Sequence, residues 1–242
     1  MSFLNPKPDN PVTKYIEWKS DDKYFSYYDK DQKKNIEIPL PIKFIVFDEY
    51  STIKGYNPHS ESGIYSNEVS DITRDILNVK AFKSPMLITG LYKDIKDRVN
   101  AEGGKFCKSV YAVLFDKENY EIVNFQFRGS SLGTWIEKKF NTDNFSIVVT
   151  KFESGKVGKI DYTMPVFEKD IEITGNIRER LLPTAILLSD WLRSKKQVQT
   201  ETEISEHQEV TDEEIQAEDI VQDHPPILSQ EPEGVAEGDL PF

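Results

Sequence analysis

The chain has 242 residues and a formal net charge of -12, from 30 Lys and Arg against 42 Asp and Glu. The acidic excess is confined to one end, because residues 197–242 carry 14 acidic residues and no Lys or Arg, which leaves 28 acidic and 30 basic residues in 1–196. The single cysteine, Cys107, excludes an intrachain disulfide and hence a disulfide-rich secreted scaffold. All aromatic residues except Phe242 lie at or before Trp191, so residues 1–196 should be the globular domain.

Residues 197–242 should form a disordered acidic tail. They combine many like charges with Gln, Ser, Thr and Pro, and they cannot bury enough surface to offset the entropy of ordering. The start of the chain has no charged segment followed by an apolar run, so no secretory signal is predicted. The longest unbroken apolar stretch, 110–115, is far shorter than a membrane span. We therefore expect a cytoplasmic protein with no membrane partner.

The first half of the chain predicts short strands. Three prolines disfavour a helix in 1–22. Residues 23–28 and 35–38 are typical of a hairpin. Residues 43–48 follow as a buried strand, because apolar side chains fall on both of its faces. Residues 51–70 are rich in Gly, Asn, Ser, Tyr and Pro, and this composition predicts a long loop.

The centre of the chain predicts further strands and a short helix. Residues 85–92 are typical of a strand that leads into a helix at 93–99. The clearest strand is 108–115, and its hairpin partner at 121–128 alternates apolar and polar residues. This pair of strands is the part of the sheet that the sequence defines best.

The last part of the globular domain predicts two helices that flank a hairpin. A helix is predicted at 129–140, where apolar residues recur at helical spacing. Residues 146–152 and 159–164 predict a hairpin around a turn that contains glycine. Residues 176–196 predict a second helix, which Pro183 should break or kink. The fold class is therefore mainly β with a few helices (α+β), compatible with a small barrel.

The last four residues, Asp239, Leu240, Pro241 and Phe242, form an apolar tip on the acidic tail. Phe242 offers a large apolar anchor and a carboxylate, Pro241 restricts the backbone, and Leu240 adds a second apolar contact. Such a tip suits a shallow pocket that supplies an Arg or Lys to the carboxylate. The disordered tether raises the local concentration of the tip near its partners. We predict that these four residues bind a partner protein.

This ending resembles that of bacterial single-stranded DNA-binding proteins and many of their phage counterparts, in which an acidic tail ends in Pro-Phe. Gly238 departs from the run of aspartates that is common there. The stretches 62–69 and 127–135 are similar to divergent single-stranded DNA-binding proteins of tailed phages. The resemblance implies an OB-like five-stranded barrel with added strands and helices. It also implies a phage protein of the host cytoplasm, whose tip recruits enzymes of DNA replication, recombination and repair.

Binding of a single strand without sequence preference needs basic side chains for the phosphates and flat side chains for the bases. The chain has both, close together in its predicted hairpins, strand ends and loop. The candidate DNA-binding residues are Tyr24, Tyr27, Tyr28, Lys33, Lys34, Tyr56, Tyr65, Arg128, Lys151, Phe152, Lys156 and Lys159. Alternate residues of a strand point to opposite faces, so at least one of the pairs Tyr24/Tyr28 and Phe25/Tyr27 should lie outside the core.

Some aromatic residues have a simpler interpretation as core. Phe125 and Phe127 lie on the apolar face of their predicted strand, and Trp135 lies on the apolar face of its helix. Trp18 fits either a surface anchor or a cover over one end of a barrel. The lysines also fit an ordinary solvated surface, because a net charge of +2 over residues 1–196 is a weak electrostatic footprint.

The sequence carries no motif for catalysis. It lacks a glycine-rich phosphate loop of the P-loop type. Asp48, Glu49, Glu68 and Asp71 could in principle hold the divalent ion of a nuclease, but their spacing matches no defined site and exposed loop acids explain them better. Cys107 is typical of a small buried side chain. We therefore predict a protein that is not an enzyme and uses no cofactor or metal.

The sequence predicts a sequence-independent single-stranded DNA-binding protein that recruits replication or recombination proteins through its tip, either as a monomer or as a homodimer. The acidic tail could fold back over the basic surface and compete with DNA, which would make binding sensitive to salt. The alternative is an interaction adaptor of a replication or virion complex that uses the same tail and binds no nucleic acid. A basic surface lined by exposed aromatic residues would distinguish the two.

Overall fold

The structure is a computed structural model that describes residues 8–116 and 119–206. Within these residues the chain forms eleven strands and three helices, which confirms the expected mainly β fold with a few helices. The strands are β1 (Lys14–Lys19), β2 (Tyr24–Asp29), β3 (Lys34–Ile38), β4 (Ile42–Asn57), β5 (Ser62–Ser66), β6 (Leu77–Ala81), β7 (Ser84–Gly90), β8 (Gly104–Asp116), β9 (Asn119–Phe127), β10 (Phe145–Val157) and β11 (Ile160–Glu172). The helices are α1 (Tyr92–Ala101), α2 (Gly129–Lys138) and α3 (Gly175–Glu206).

The strands form one sheet in the order β3-β2-β1-β9-β8-β4-β5-β6-β7. The long strand β4 is the centre of this arrangement: β8 pairs along most of one edge, while the other edge pairs first with β10 and then with β5. β11 pairs with β10. β1 and β9 are parallel, and the other pairings are antiparallel.

The sheet is open, so the expected OB-like barrel is not confirmed. No backbone ladder joins β11 to β1 among the strands that the structure describes. Side-chain hydrogen bonds link the two instead, because Ser20, just after β1, contacts Thr163 of β11. The Ser20 hydroxyl lies 3.1 Å from both the amide nitrogen and the carbonyl oxygen of Thr163, and the Thr163 hydroxyl donates to the Ser20 carbonyl.

One face of the sheet, the inner face, packs against an aromatic core. Its most buried rings belong to β2, β4, β9 and β11, and α2 adds Trp135. The Phe127 ring centroid lies 5.1 Å from that of Phe167 and 4.9 Å from that of Trp135. Trp18 belongs to this core, and its indole donates a hydrogen bond to the Thr163 carbonyl at 3.2 Å. The interpretation of Phe125, Phe127 and Trp135 as core residues is confirmed.

The opposite face, the outer face, is covered in part by α3. Leu188 and Trp191 of α3 pack in one buried cluster with Tyr50 of β4 and with Tyr111 and Val113 of β8. The Tyr111 ring centroid is 6.0 Å from that of Trp191. Burial against these side chains, rather than local propensity, explains why the helix forms here.

Most of the predicted elements form where the sequence placed them. The first hairpin is β2–β3, the best-defined pair is β8–β9, and the second hairpin is β10–β11, with strands longer than predicted. The helix expected at 129–140 is α2, with Leu132 and Trp135 buried. α3 runs through Pro183 and continues to Glu206, past the end expected at residue 196. β1 lies in a segment for which the sequence predicted only the absence of a helix.

The prediction of a long loop at 51–70 is wrong. β4 continues to Asn57 and β5 occupies part of the same segment. Gly55 allows close packing of two strands, because a Cβ on this residue would lie 2.2 Å from the carbonyl oxygen of Gly103. Asn57 stabilises the turn, since its side-chain oxygen accepts hydrogen bonds from the amides of His59 and Ser60 at 2.9 and 2.8 Å.

Candidate nucleic-acid interface

A row of basic and apolar side chains crosses five strands on the outer face. Lys105 of β8 lies opposite Lys54 of β4, and Lys54 lies opposite Tyr65 of β5. Tyr65 in turn lies opposite Lys80 of β6, and Lys80 lies opposite Leu87 of β7. Side chains at directly opposed positions have Cβ atoms roughly 5 Å apart. The row therefore forms one continuous surface.

The alternation of the strands places this row away from the core. The inner-face neighbours Ile53, Ile64, Val79 and Ile88 are all buried in the aromatic core. Residues next to them in the strands must point outward. We call this surface the open face, and it consists of Lys54, Tyr56, Gly63, Tyr65, Lys80, Leu87 and Lys105.

The apolar members of the open face are exposed to solvent. Tyr56 and Tyr65 are 41% and 42% exposed, and Leu87 is 52% exposed. Phe82, in the turn between β6 and β7, is 54% exposed, and its amide donates a hydrogen bond to the Gly63 carbonyl at 3.0 Å. Exposed apolar side chains clustered on one sheet face are typical of a binding surface.

Lys54 is the electrostatic centre of the open face. Burial lowers the pKa of its ammonium below the ordinary value of 10.5, because the charged form loses hydration. No carboxylate of the described residues lies within ion-pair distance of Lys54, so an anionic ligand would find a cation already stripped of part of its hydration shell. Lys105 at the opposed position is exposed and adds a second positive charge.

α3 passes close to the open face at Lys195 and Lys196. The Lys195 ammonium lies 2.8 Å from the Glu68 carboxylate, and Glu68 follows Tyr65 by three residues. The Lys196 ammonium lies 4.8 Å from the centroid of the Tyr50 ring on β4. The acidic segment that begins after Lys196 therefore starts close to the open face, and its first residues, 197–206, continue α3.

The structure brings together two of the predicted DNA-binding residues, Tyr56 and Tyr65, on the open face. Two more, Tyr24 and Tyr28, lie on the same outer face but on β2, with Tyr24 opposite Lys19 of β1. Tyr27 lies on the inner face and packs against the aromatic core, with the Lys14 ammonium 5.0 Å from its ring centroid. Its placement favours a structural role.

The remaining basic candidates of the first hairpin and of β9 are dispersed. Lys33 and Lys34 are exposed at the far turn of the β2–β3 hairpin. Arg128, just after β9, donates a hydrogen bond to the Glu17 carboxylate at 3.1 Å, and Lys19 contacts the same oxygen at 3.4 Å. Glu17 therefore offsets part of the positive charge at this end of the sheet.

The other four candidates lie on the β10–β11 hairpin, which extends beyond the core as an arm. Lys151 and Lys156 contact Glu153 and Asp161 at 3.0 and 3.5 Å, and Lys159 is exposed in the turn. Phe152 is 39% exposed, and its ring centroid lies 6.3 Å from that of Trp18. The arm thus offers positive charge and one aromatic ring at its base.

Sequence reasoning missed five of the seven residues of the open face and the neighbouring Phe82. The five are Lys54, Gly63, Lys80, Leu87 and Lys105. A signal was present in the alternation of Thr52, Lys54 and Tyr56 with apolar and small residues. The composition of 51–70 was interpreted as a loop, which hid that alternation. The tip residues Asp239, Leu240, Pro241 and Phe242 lie outside the described residues.

The acidic residues considered for a metal site have other partners in the structure. The Tyr50 hydroxyl donates to Asp48 at 2.5 Å, and Glu49 accepts from the Trp135 indole at 3.1 Å. Glu68 accepts from Ser109, Tyr111 and Lys195. Over the parts of the chain that the structure describes, no group of three or more His, Cys, Asp or Glu could hold a metal ion.

No protein-family model, curated protein or solved structure matches this chain. Among residues 8–116 and 119–206, no helix has the length and hydropathy needed to cross a membrane.

Proposed function

We propose that the protein binds single-stranded DNA without sequence preference through the open face and the arm. The observation that supports this function is the cross-strand row in which Lys54 and Lys80 flank the exposed Tyr65. Bases of a single strand stack on aromatic rings whatever their sequence, while lysines neutralise the phosphates. A duplex keeps its bases stacked on one another, so the exposed rings favour the single strand.

The proposal includes an OB-like arrangement of the sheet and a recruiting tip. Strands β1, β9, β8, β4, β10 and β11 follow one another in pairing order around the aromatic core, and the contact of Ser20 with Thr163 supports a curled, nearly closed sheet. In this proposal the tip, residues 239–242, docks replication or recombination enzymes while the globular part holds DNA. The exposed tyrosines favour DNA binding over an adaptor that binds no nucleic acid.

The test is fluorescence anisotropy of a labelled oligothymidine at two salt concentrations, with a duplex of equal length as the control. We expect tight binding of the single strand only, weaker at higher salt because each neutralised phosphate releases counterions. A protein that binds neither ligand in either salt would contradict the proposal.

The Tyr56→Ala/Tyr65→Ala double variant locates the binding surface. Loss of stacking costs about 1–3 kcal/mol per base, so we expect at least roughly tenfold weaker binding. Leu182→Ala is a matched control, because this exposed side chain lies on α3 and also removes apolar surface. It should leave affinity within about twofold, and equal losses in both variants would argue against the open face.

A further inference from the structure

We propose that the open face contains a subsite for one nucleotide, in which the base lies over Gly63 between Tyr56 and Phe82 and the phosphate contacts Lys54. This inference rests on the proposed function, and it assigns the base contact to Gly63, Tyr56 and Phe82 and the phosphate contact to Lys54. The ligand class is one unit of a single-stranded nucleic acid, a flat ring joined to a monoanionic phosphodiester.

Gly63 provides the floor of the subsite. It lies directly opposite Tyr56 on β4, and its carbonyl accepts the amide of Phe82 from the β6–β7 turn. A Cβ built on Gly63 would meet no atom within 4 Å, and the residue is exposed. A side chain is therefore missing at the position of β5 whose backbone neighbours on the two sides are the exposed Tyr56 and Phe82.

The backbone does not require glycine at this position. The φ of Gly63 lies outside the left-handed region, and the residue belongs to a strand paired on both edges. Glycine inside a strand is unfavourable for stability, and it often marks a place where a ligand or another backbone approaches closely. Because no atom of the described chain beyond the adjacent residues lies within 4 Å of a Cβ built on Gly63, we assign that space to a ligand.

Lys54 provides the phosphate contact. It is two residues from Tyr56 on the same face of β4, about 7 Å along the strand, which suits the separation of a base from its own phosphate. The Lys54 side chain is half-buried, and among the described residues no carboxylate lies within ion-pair distance of its ammonium, although Glu68 attracts it from farther away. A phosphate oxygen would replace the hydration that burial removes, and Lys105 lies at the opposed position on β8 to add a second cation.

The first test fills the floor without changing the charge. Gly63→Val should leave the thermal midpoint of unfolding unchanged or raise it, because valine favours strands and the new Cβ has room. Oligothymidine affinity should fall about tenfold or more, and the dependence of affinity on salt should stay the same. Gly63→Ala is a smaller change that covers the case in which valine perturbs the strand. It should cause a loss of affinity between those of the wild type and Gly63→Val. Gly133→Ala on α2, where a Cβ also meets nothing within 4 Å, is the control and should bind like the wild type.

The second test removes the phosphate contact without changing the floor. Lys54→Gln should weaken oligothymidine binding and make the plot of log affinity against log salt shallower by about 0.7, the slope expected for one phosphate of a single strand. Lys83→Gln in the exposed β6–β7 turn is the matched control and should change the slope less. The thermal midpoint of both variants should stay close to that of the wild type.

The outcomes separate this inference from the function on which it rests. Tight wild-type binding that is lost in Tyr56→Ala/Tyr65→Ala but unchanged in Gly63→Val and Lys54→Gln would overturn the subsite and leave the function standing. A wild-type protein that binds no oligothymidine would overturn both. Equal losses for Gly63→Val and Gly133→Ala would also overturn the subsite, since a general effect of glycine replacement would then explain them.

Discussion

At the residue scale, one buried carboxylate connects three elements. Glu68, in the connection between β5 and β6, accepts hydrogen bonds from Ser109 at 2.5 Å, from Tyr111 at 2.8 Å and from Lys195 at 2.8 Å. Burial alone would raise the pKa of Glu68, but the Lys195 ammonium and the three hydrogen bonds outweigh it and hold the pKa below the ordinary 4.5. Burial raises the pKa of the Tyr111 phenol, and the charge and hydrogen bond of Glu68 raise it further.

We expect Glu68→Gln to destabilise the fold at neutral pH by about 1–3 kcal/mol, because it leaves Lys195 without its counter-charge and two hydroxyls with a poorer acceptor. A carboxyl whose folded pKa is depressed stabilises the fold above its unfolded pKa, and it loses that contribution as the pH falls through the folded value. The difference between wild type and variant should therefore shrink as the pH is lowered from 7 to below 4. Urea unfolding at several pH values measures it.

Glu179→Gln, on the exposed surface of α3, is the control for the loss of one carboxylate. Its unfolding free energy should stay close to that of the wild type at each pH. A Glu68→Gln deficit that is constant from pH 7 to 3 would show that packing, and not the ionised carboxylate, accounts for the stability.

The sequence predicted the orientation of the aromatic residues in the first hairpin only in part. The alternation of Tyr24, Phe25, Tyr27 and Tyr28 predicted that one pair must leave the core, and the structure assigns Phe25 and Tyr27 to the core side. The sequence left the choice of pair open, because both pairs are aromatic and the deciding contacts, Phe25 with Trp18 and with Phe125, come from distant strands.

At the element scale, the arm is a two-stranded extension whose outer half stands apart from the core. Most residues of β10 after Val149 are exposed, whereas Thr163 at the base is held by Ser20 and by Ser130, whose hydroxyl donates to the Thr163 carbonyl at 2.7 Å. Gly155 lets the Tyr162 ring lie across the strand, since a Cβ there would be 2.5 Å from that ring. The outer half therefore contributes little to the stability of the sheet.

Replacing residues 155–162 by Asn-Gly tests the role of the arm. Ser154 and Thr163 are opposed in the ladder, so a two-residue turn of this type can join them. The unfolding free energy should change by less than about 0.5 kcal/mol, because the removed side chains are mostly exposed. Oligothymidine binding should weaken and its salt slope should become shallower, since Lys156 and Lys159 are lost.

A matched control separates charge from shape in this experiment. Lys156→Gln/Lys159→Gln keeps the arm at full length, and it should reproduce the shallower salt slope while retaining part of the affinity lost on shortening. If the shortened arm binds as tightly as the wild type, then the open face alone carries the DNA.

The presence of most strands was easier to predict from the sequence than the residues at which they begin and end. The sequence located β8 and β9 because 110–115 is an unbroken apolar run, 121–128 alternates apolar and polar residues, and a short polar turn separates them. It lost the end of β4 and all of β5, because glycines and asparagines that serve packing and turns have the composition of a loop. The open face went unnoticed for the same reason: its members lie on five strands and come together only through register.

At the scale of the whole molecule, charge is divided between two parts of the chain. Residues 197–242 hold 14 acidic residues and no basic ones, while the open face gathers Lys54, Lys80 and Lys105. The acidic segment starts within α3 close to that face, because Lys195 is bound to Glu68 in the connection that follows β5. If the protein binds DNA as proposed, a polyanion tethered there would compete with DNA at a high effective concentration.

Deletion of residues 197–242 should therefore tighten oligothymidine binding at low salt. The gain should fade as salt rises, since the Debye length shrinks from about 10 Å at 0.1 M to about 3 Å at 1 M and both competitors lose their electrostatic advantage. Anisotropy titrations at several salt concentrations measure the effect. Unchanged affinity at low salt would contradict the competition.

A full-length variant with the 14 acidic residues of 197–242 replaced by Asn or Gln distinguishes charge from bulk. It should bind oligothymidine as tightly as the deletion does, because the competing charges are gone while the length of the tail is kept. Tighter binding by the deletion alone would mean that the tail obstructs the open face by its volume. If charge is the cause, bound DNA would repel the acidic residues of the tail, and these residues would return to the lysines when DNA leaves. Occupancy of the open face by DNA would then set the exposure of the tip.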